Sequence, residues 1–128
     1  MEYEKEHGIR YDCIIRCRPD LMFVKPLDHL SLLDLSYVHV PDFHGYDGIN
    51  DRFAVGCTEH MHVYMNKLDE FHDYVAAWFA YRSDALAVSA EMFTGGQLRN
   101  HGIAVRPYPF RFNRVRSSRI KNDIPEDR

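Results

Sequence analysis

The chain has 128 residues, 45% hydrophobic and 27% charged, which fits one folded domain with a modest core and excludes a disordered or fibrous chain. Its 16 basic and 19 acidic side chains leave a net charge of −3, so the composition points away from a nucleic-acid partner. No apolar run approaches the roughly 20 residues of a membrane span, and the charged start MEYEKEHGIRYD has none of the features of a signal peptide.

The first residues read as the tail of a helix that begins upstream. Residues 11–17, YDCIIRC, form a strand candidate. Alternation puts Tyr11, Cys13, Ile15 and Cys17 on one face and Asp12, Ile14 and Arg16 on the other. Pro19 cannot donate to a ladder and biases Arg18 to extended geometry, so the strand frays there. LMFVKPL continues extended to Pro26, and residues 27–35 read as one or two short helical turns. Residues 36–40 are a second strand, stopped by Pro41. A loop dense in Gly, Asp and Asn follows, PDFHGYDGIND, and residues 52–57 are a third strand.

Thr58 offers an N-cap for a long helix over residues 58–79. Met61, Tyr64, Met65, Leu68, Phe71, Val75, Trp78 and Phe79 recur there at helical spacing. YRSDALA reads as a break. Ser89 caps a second helix, which Gly102 ends; Gly95 and Gly96 count against that helix. Residues 103–110 are a fourth strand, and the basic stretch from Arg111 reads as a loose end. The expected fold class is α/β, a mixed sheet flanked by helices. The domain is expected to occupy residues 1–116, with a polar tail over 117–128.

Cys13 and Cys17 lie about 13 Å apart in a strand, beyond the roughly 7 Å that a disulfide allows. Without a CxxC spacing, Cys13, Cys17 and Cys57 read as buried reduced thiols. His60 and His62 are two apart on a helix and share no face, so the eight histidines offer no metal pair of the usual spacing.

Polar residues gather where the first strand runs out. Asp20 lies past a strand end, where α/β proteins place ligands, and a single carboxylate can help hold a divalent cation when phosphates complete the shell. Arg18, two residues back, can fork onto a phosphate. From spacing alone, an Arg–Asp surface pair accounts for both. Likewise, Asp47, Asn50 and Asp51 between close-approach glycines suit sugar hydroxyls, but from the residues alone turn formation is the better account of them.

YDCIIRCRPDLMF together with VHVPDFHGYDGINDRFAVGC resembles the second half of GT-A-type glycosyltransferases. RPDL and GINDRFAVG carry the likeness, which spans about residues 11–116. The resemblance implies a nucleotide-diphospho-sugar transferase fold. It implies transfer of a sugar from a nucleotide-sugar donor to a glycan or other hydroxyl acceptor. Arg18-Pro19-Asp20 falls where the family carries its metal-binding D-x-D motif, with Arg18 in place of the first acidic residue. Arg18 and Asp20 are then the donor-diphosphate residues, with Asp20 as ligand to Mn2+ or Mg2+. Asp47, Asn50 and Asp51 border the sugar or acceptor, and Glu91 is the candidate base, while stabilisation of a helix start accounts for Glu91 about as well.

The resemblance begins after the part of such domains that grips the nucleotide base, so the chain is expected to need a missing N-terminal segment or an oligomer partner. The alternative is an inactive remnant that binds carbohydrate or another protein. The sequence leaves the compartment open between cytoplasm and Golgi lumen.

Overall fold

A computed structural model describes residues 2–81 and 88–117, and the backbone of residues 119–121. Helix α1 (Glu2–His7) leads into strand β1 (Ile14–Cys17) and then β2 (Leu21–Phe23). One 3-10 turn, Leu30–Leu32, precedes β3 (Val38–Pro41) and β4 (Phe53–Gly56). Helices α2 (Thr58–Met65), α3 (Phe71–Tyr81) and α4 (Ala90–Asn100) follow, then β5 (Val105–Tyr108), β6 (Phe112–Arg116) and β7 (Arg119–Lys121).

Among the described residues the strands form two sheets. The larger has the order β1-β4-β3-β5 and is mixed: β4 is antiparallel to β1 and β3, while β5 runs parallel to β3. The smaller, β2-β6-β7, is antiparallel throughout. The fold is therefore α/β, with a mixed sheet flanked by helices and a second small sheet that the sequence pattern did not announce.

Strand β4 explains the layering. Its four residues are all buried, and alternation sends them to two different cores. Ala54 joins Val38, Val40, Met61, Tyr64, Leu98 and Ile103 in the core beneath the helices. Phe53 and Val55 join Phe43, Phe110 and Phe112 in an aromatic core toward the small sheet. Phe23 meets Phe53 and Phe112 edge-to-face, with centroids 5.4 and 5.6 Å apart, a favoured aromatic geometry. Gly56 leaves room for Val38 and Met61, which a Cβ would meet at 3.2–3.3 Å.

Several expectations are corrected. β1 begins at Ile14 rather than Tyr11, and its half-buried face carries Ile14 and Arg16. Cys17 is exposed, not buried; all three cysteines are free. Pro41 ends β3 from within it. The N-cap of α2 is Cys57, and Thr58 instead donates its hydroxyl to the Tyr11 carbonyl. The single helix expected over 58–79 is two helices with a 3-10 turn, Lys67–Glu70, between them. The polar run Asn66–Lys67 sits at that break, where Asn66 serves as the C-cap of α2.

Ser89 does cap α4, accepting the Met92 N–H at 3.1 Å, and Gly102 follows the helix with φ +68°. The basic stretch after residue 110 is not a loose end as far as residue 116: Phe112, Arg114 and Arg116 share one face of β6, and Phe112 is fully buried. The arginines that follow Phe112 on its face, and Asn113 on the other, hid this strand from a period-2 search. Residues 82–87, most of the expected break, and 122–128, most of the expected tail, lie outside the described residues.

The burial within β6 makes a direct test. Phe112→Ala should destabilise the protein by about 3–5 kcal/mol. Val115→Ala, one strand position from Arg116 and 44% exposed, should stay within about 0.5 kcal/mol. Urea denaturation of both variants reads the difference.

Candidate functional site

Arg18-Pro19-Asp20 is the corner at which the chain leaves the large sheet and enters the small one. Pro19 stops β1, and β2 starts one residue after Asp20. The corner is held from both sides. The Arg18 N–H donates to the Arg52 carbonyl at 3.2 Å, and the Val115 N–H donates to the Asp20 carbonyl at 2.8 Å. The Arg18 guanidinium forks onto Asp20, Nε to Oδ1 at 2.9 Å and Nη2 to Oδ2 at 2.8 Å. Arg116, from β6, brings Nη1 to 3.8 Å from the same carboxylate. The bond to Arg18 holds the Asp20 carboxyl below its ordinary range, and the same bond raises Arg18.

The loop of residues 42–52 reaches this corner through its last residues. Antiparallel pairing of Cys17 with Phe53 puts the start of β4 beside the end of β1. Asp51 and Asp20 therefore lie at the same end of this strand pair. The Asp51 carbonyl accepts from the Arg16 guanidinium and, at 3.3 Å, from the Tyr64 hydroxyl. Burial pushes that hydroxyl upward, so Tyr64 remains a neutral donor. Lys67 sits half-buried nearby, donating to Thr94 Oγ1 at 2.6 Å, with its ammonium 4.7 Å from the Tyr64 ring centre. Desolvation lowers Lys67; the carboxylates of Asp51 and Glu91 act against that shift. One lysine thus lies within electrostatic reach of two acids more than 30 residues apart in sequence.

The rest of the loop is held in an unusual backbone. His44, Tyr46 and Asp47 have φ of 52°, 47° and 63°. For residues with a Cβ this region is costly, and such outliers gather at ligand-binding segments. Gly48 seats the loop on α4: a Cβ there would overlap the Glu91 carbonyl, to which the Ile49 N–H donates at 3.1 Å. Asn50 is only 1% exposed. Its amide donates to the Phe43 carbonyl at 2.8 Å and accepts the Arg52 N–H at 3.0 Å.

The expected site residues therefore divide. Arg18, Asp20 and Asp51 gather at one strand end, while Glu91 lies in the first turn of α4, where its backbone carbonyl accepts from Ile49 of the loop. Asn50 faces inward and is spent on the loop. Asp47 is exposed and lines a different cleft, between the loop and helices α3 and α4. Arg16, Tyr64, Lys67 and Arg116 are additions. Arg16 was findable, because a period of two puts it on the same side as Arg18. Arg116 was hidden in the stretch taken for a loose end.

A bare divalent cation does not fit Asp20 as it stands. Both carboxylate oxygens accept from Arg18, and a second guanidinium is close. Among the described residues no group of three His, Cys, Asp or Glu side chains is placed to hold a metal ion.

Fold and site together define an α/β domain with a cationic strand end bordered by carboxylates. The chain belongs to the DUF7796 family, a domain of unknown function, whose model matches residues 1–119. Neither a curated protein nor a solved structure matches it. Among the described residues no helix is long and apolar enough to cross a membrane.

Two outcomes follow. By carboxyl NMR, Asp20 should titrate below the ordinary aspartate value of 3.8, and Arg18→Ala should return it toward that value. Because the folded-state value is the lowered one, the contribution of Asp20 to stability is present above the ordinary range and lost as pH falls through the lowered value. Gly48→Ala should destabilise by about 1–3 kcal/mol in urea denaturation, since loop or helix backbone must shift to admit the methyl group.

Proposed function

We propose that this domain forms the donor-diphosphate end of a glycosyltransferase site, transferring a sugar from a nucleotide-sugar donor to a hydroxyl acceptor. One observation carries the reading: at the end of β1 the Arg18 guanidinium is forked on Asp20, beside Arg116 and at the same strand end as Asp51. The likeness of RPDL and GINDRFAVG to GT-A-type enzymes supports it.

The reaction asks three things of the protein. The donor diphosphate must be held while it accumulates charge as a leaving group. The acceptor hydroxyl must lose a proton as its oxygen bonds to the sugar carbon. The bond from that carbon to the phosphate oxygen must break with its electron pair going to the diphosphate. Arg18 suits the first role, because a guanidinium matches two phosphate oxygens as it matches a carboxylate. Glu91 is the proposed proton acceptor. Asp51 is the proposed partner for sugar hydroxyls, and Lys67 balances both acids.

With Arg18 in place of an acidic residue, donor binding should depend more on this guanidinium than on Mn2+ or Mg2+. Calorimetric titration of the full-length protein with uridine and guanosine diphosphate, with and without EDTA, tests this. Arg18→Ala should weaken binding by roughly 1.5–3 kcal/mol, the worth of a charged hydrogen bond, and EDTA should leave wild-type binding in place. Arg18→Asp should bind only with metal. If chelation abolishes wild-type binding while Arg18→Ala leaves it unchanged, the site is a metal site built on Asp20. If no diphosphate binds under any condition, the transferase reading fails.

A further inference from the structure

A second surface lies on the other side of the 42–52 loop. Clefts of about 640 and 490 Å³ adjoin between α3 and α4, sharing Tyr74, Trp78, Gly96 and Arg99 in their walls. We infer that this groove binds a neutral oligosaccharide, with Tyr74, Trp78 and Tyr81 as its aromatic shelf and Asp47, Asp73 and Arg99 as its polar rim.

The shelf follows from helix spacing. Tyr74 and Trp78 are four apart on α3, hence one above the other on one face. Their rings lie nearly parallel, at 22° with centroids 6.4 Å apart. Tyr81 continues the row and is 90% exposed. α3 has no fully buried residue, although it is rich in aromatic and aliphatic side chains. The facing wall is made bare by Gly95 and Gly96. In mid-helix each glycine costs about 1 kcal/mol relative to alanine. A Cβ at Gly96 would run into the Tyr74 ring. The missing side chain lets Tyr74 lie against α4, where its hydroxyl donates to the Met92 carbonyl at 3.1 Å.

The chemistry of the lining selects the ligand class. A sugar ring has an apolar C–H face and a rim of hydroxyls that donate and accept together. Flat aromatic faces suit the first, and carboxylate and guanidinium groups within reach suit the second. Asp47, Asp73 and Arg99 stand exposed at the rim, where they can exchange hydrogen bonds with ligand hydroxyls that a lipid chain lacks. The groove ends on Asp47, one residue before the glycine that rests on Glu91. Only the backbone carbonyl of Glu91 meets the loop there, and its side chain lines neither cleft, so the groove and Glu91 are joined through the loop and the start of α4. The inference rests on the transferase reading and gives its acceptor a chemical class.

Trp78 is the single tryptophan of the chain, so its fluorescence reports this groove alone. The whole chain is titrated without nucleotide, using hexasaccharides of β-1,4-linked glucose, mannose, xylose and N-acetylglucosamine. At least one should give a saturable change in Trp78 emission. Tyr81→Ala, at an exposed position that the fold does not use, should weaken that binding about threefold or more. Arg99→Ala should weaken it about tenfold. Circular dichroism should show both variants folded.

The inference is overturned if none of the four saccharides changes the emission, or if binding survives both substitutions. It is also overturned if sedimentation velocity shows the chain dimerising through this face, with Tyr81→Ala restoring the monomer. Because no nucleotide is present, failure here is separate from failure of the diphosphate titration.

Discussion

Phe53–Gly56 is buried on both faces, and the rest of the molecule is arranged around that constraint. A strand with two apolar faces must be covered twice. Helices α2 and α4 cover one face, through Met61, Tyr64 and Leu98. The small sheet covers the other with phenylalanine rings. To supply the second cover, the chain must leave the large sheet after β1 and start another within a few residues. Pro19 makes that departure sharp, and the Arg18–Asp20 pair braces it.

The brace and the proposed site are the same atoms, and this shapes what the site can do. On the proposed reading, a diphosphate entering the corner would find Arg18 already oriented by a carboxylate, so little side-chain freedom would remain to be lost on binding. It must displace Asp20 from that guanidinium, and Asp20 keeps Arg116 nearby. On that reading the corner would exchange one anion for another without stripping a charge bare. Across the strand end, Lys67 plays a matching part. Thr94 and the Tyr64 ring fix the ammonium, and Asp51 and Glu91 keep it from being an isolated charge in a partly dry place.

The legible parts of the fold were those written in local chemistry. Alternation located the strands near residues 14, 38 and 53, and Ser89 and Gly102 marked both ends of α4. The small sheet was not legible, because β2 is three residues long and β6 alternates between a polar face and one that turns from Phe112 to arginines. The break in the long helix was missed because apolar spacing persists across Asn66–Lys67 while the backbone leaves α-helical geometry there for a 3-10 turn. In the site, a strand-end location was readable for Arg18 and Asp20. The inward turn of Asn50 was not, since an amide in a glycine-rich loop serves a ligand or its own backbone equally well. Lys67 had no sequence signal; only folding brings α2's end beside the start of α4.

The two borders of the large sheet are chemically unlike. On one, β5 carries Pro107, followed shortly by Pro109, and a proline offers no N–H to a further strand. On the other, β1 presents Ile15, 42% exposed, and among the described residues pairs only with β4. Among the described residues, growth of the sheet by added strands is therefore disfavoured at one margin and unobstructed at the other. A second polypeptide that extended it would have to arrive beside Ile15, within two residues of Cys17 and the arginine corner. Any association of that kind would read out at the same strand end that holds Arg18 and Asp20.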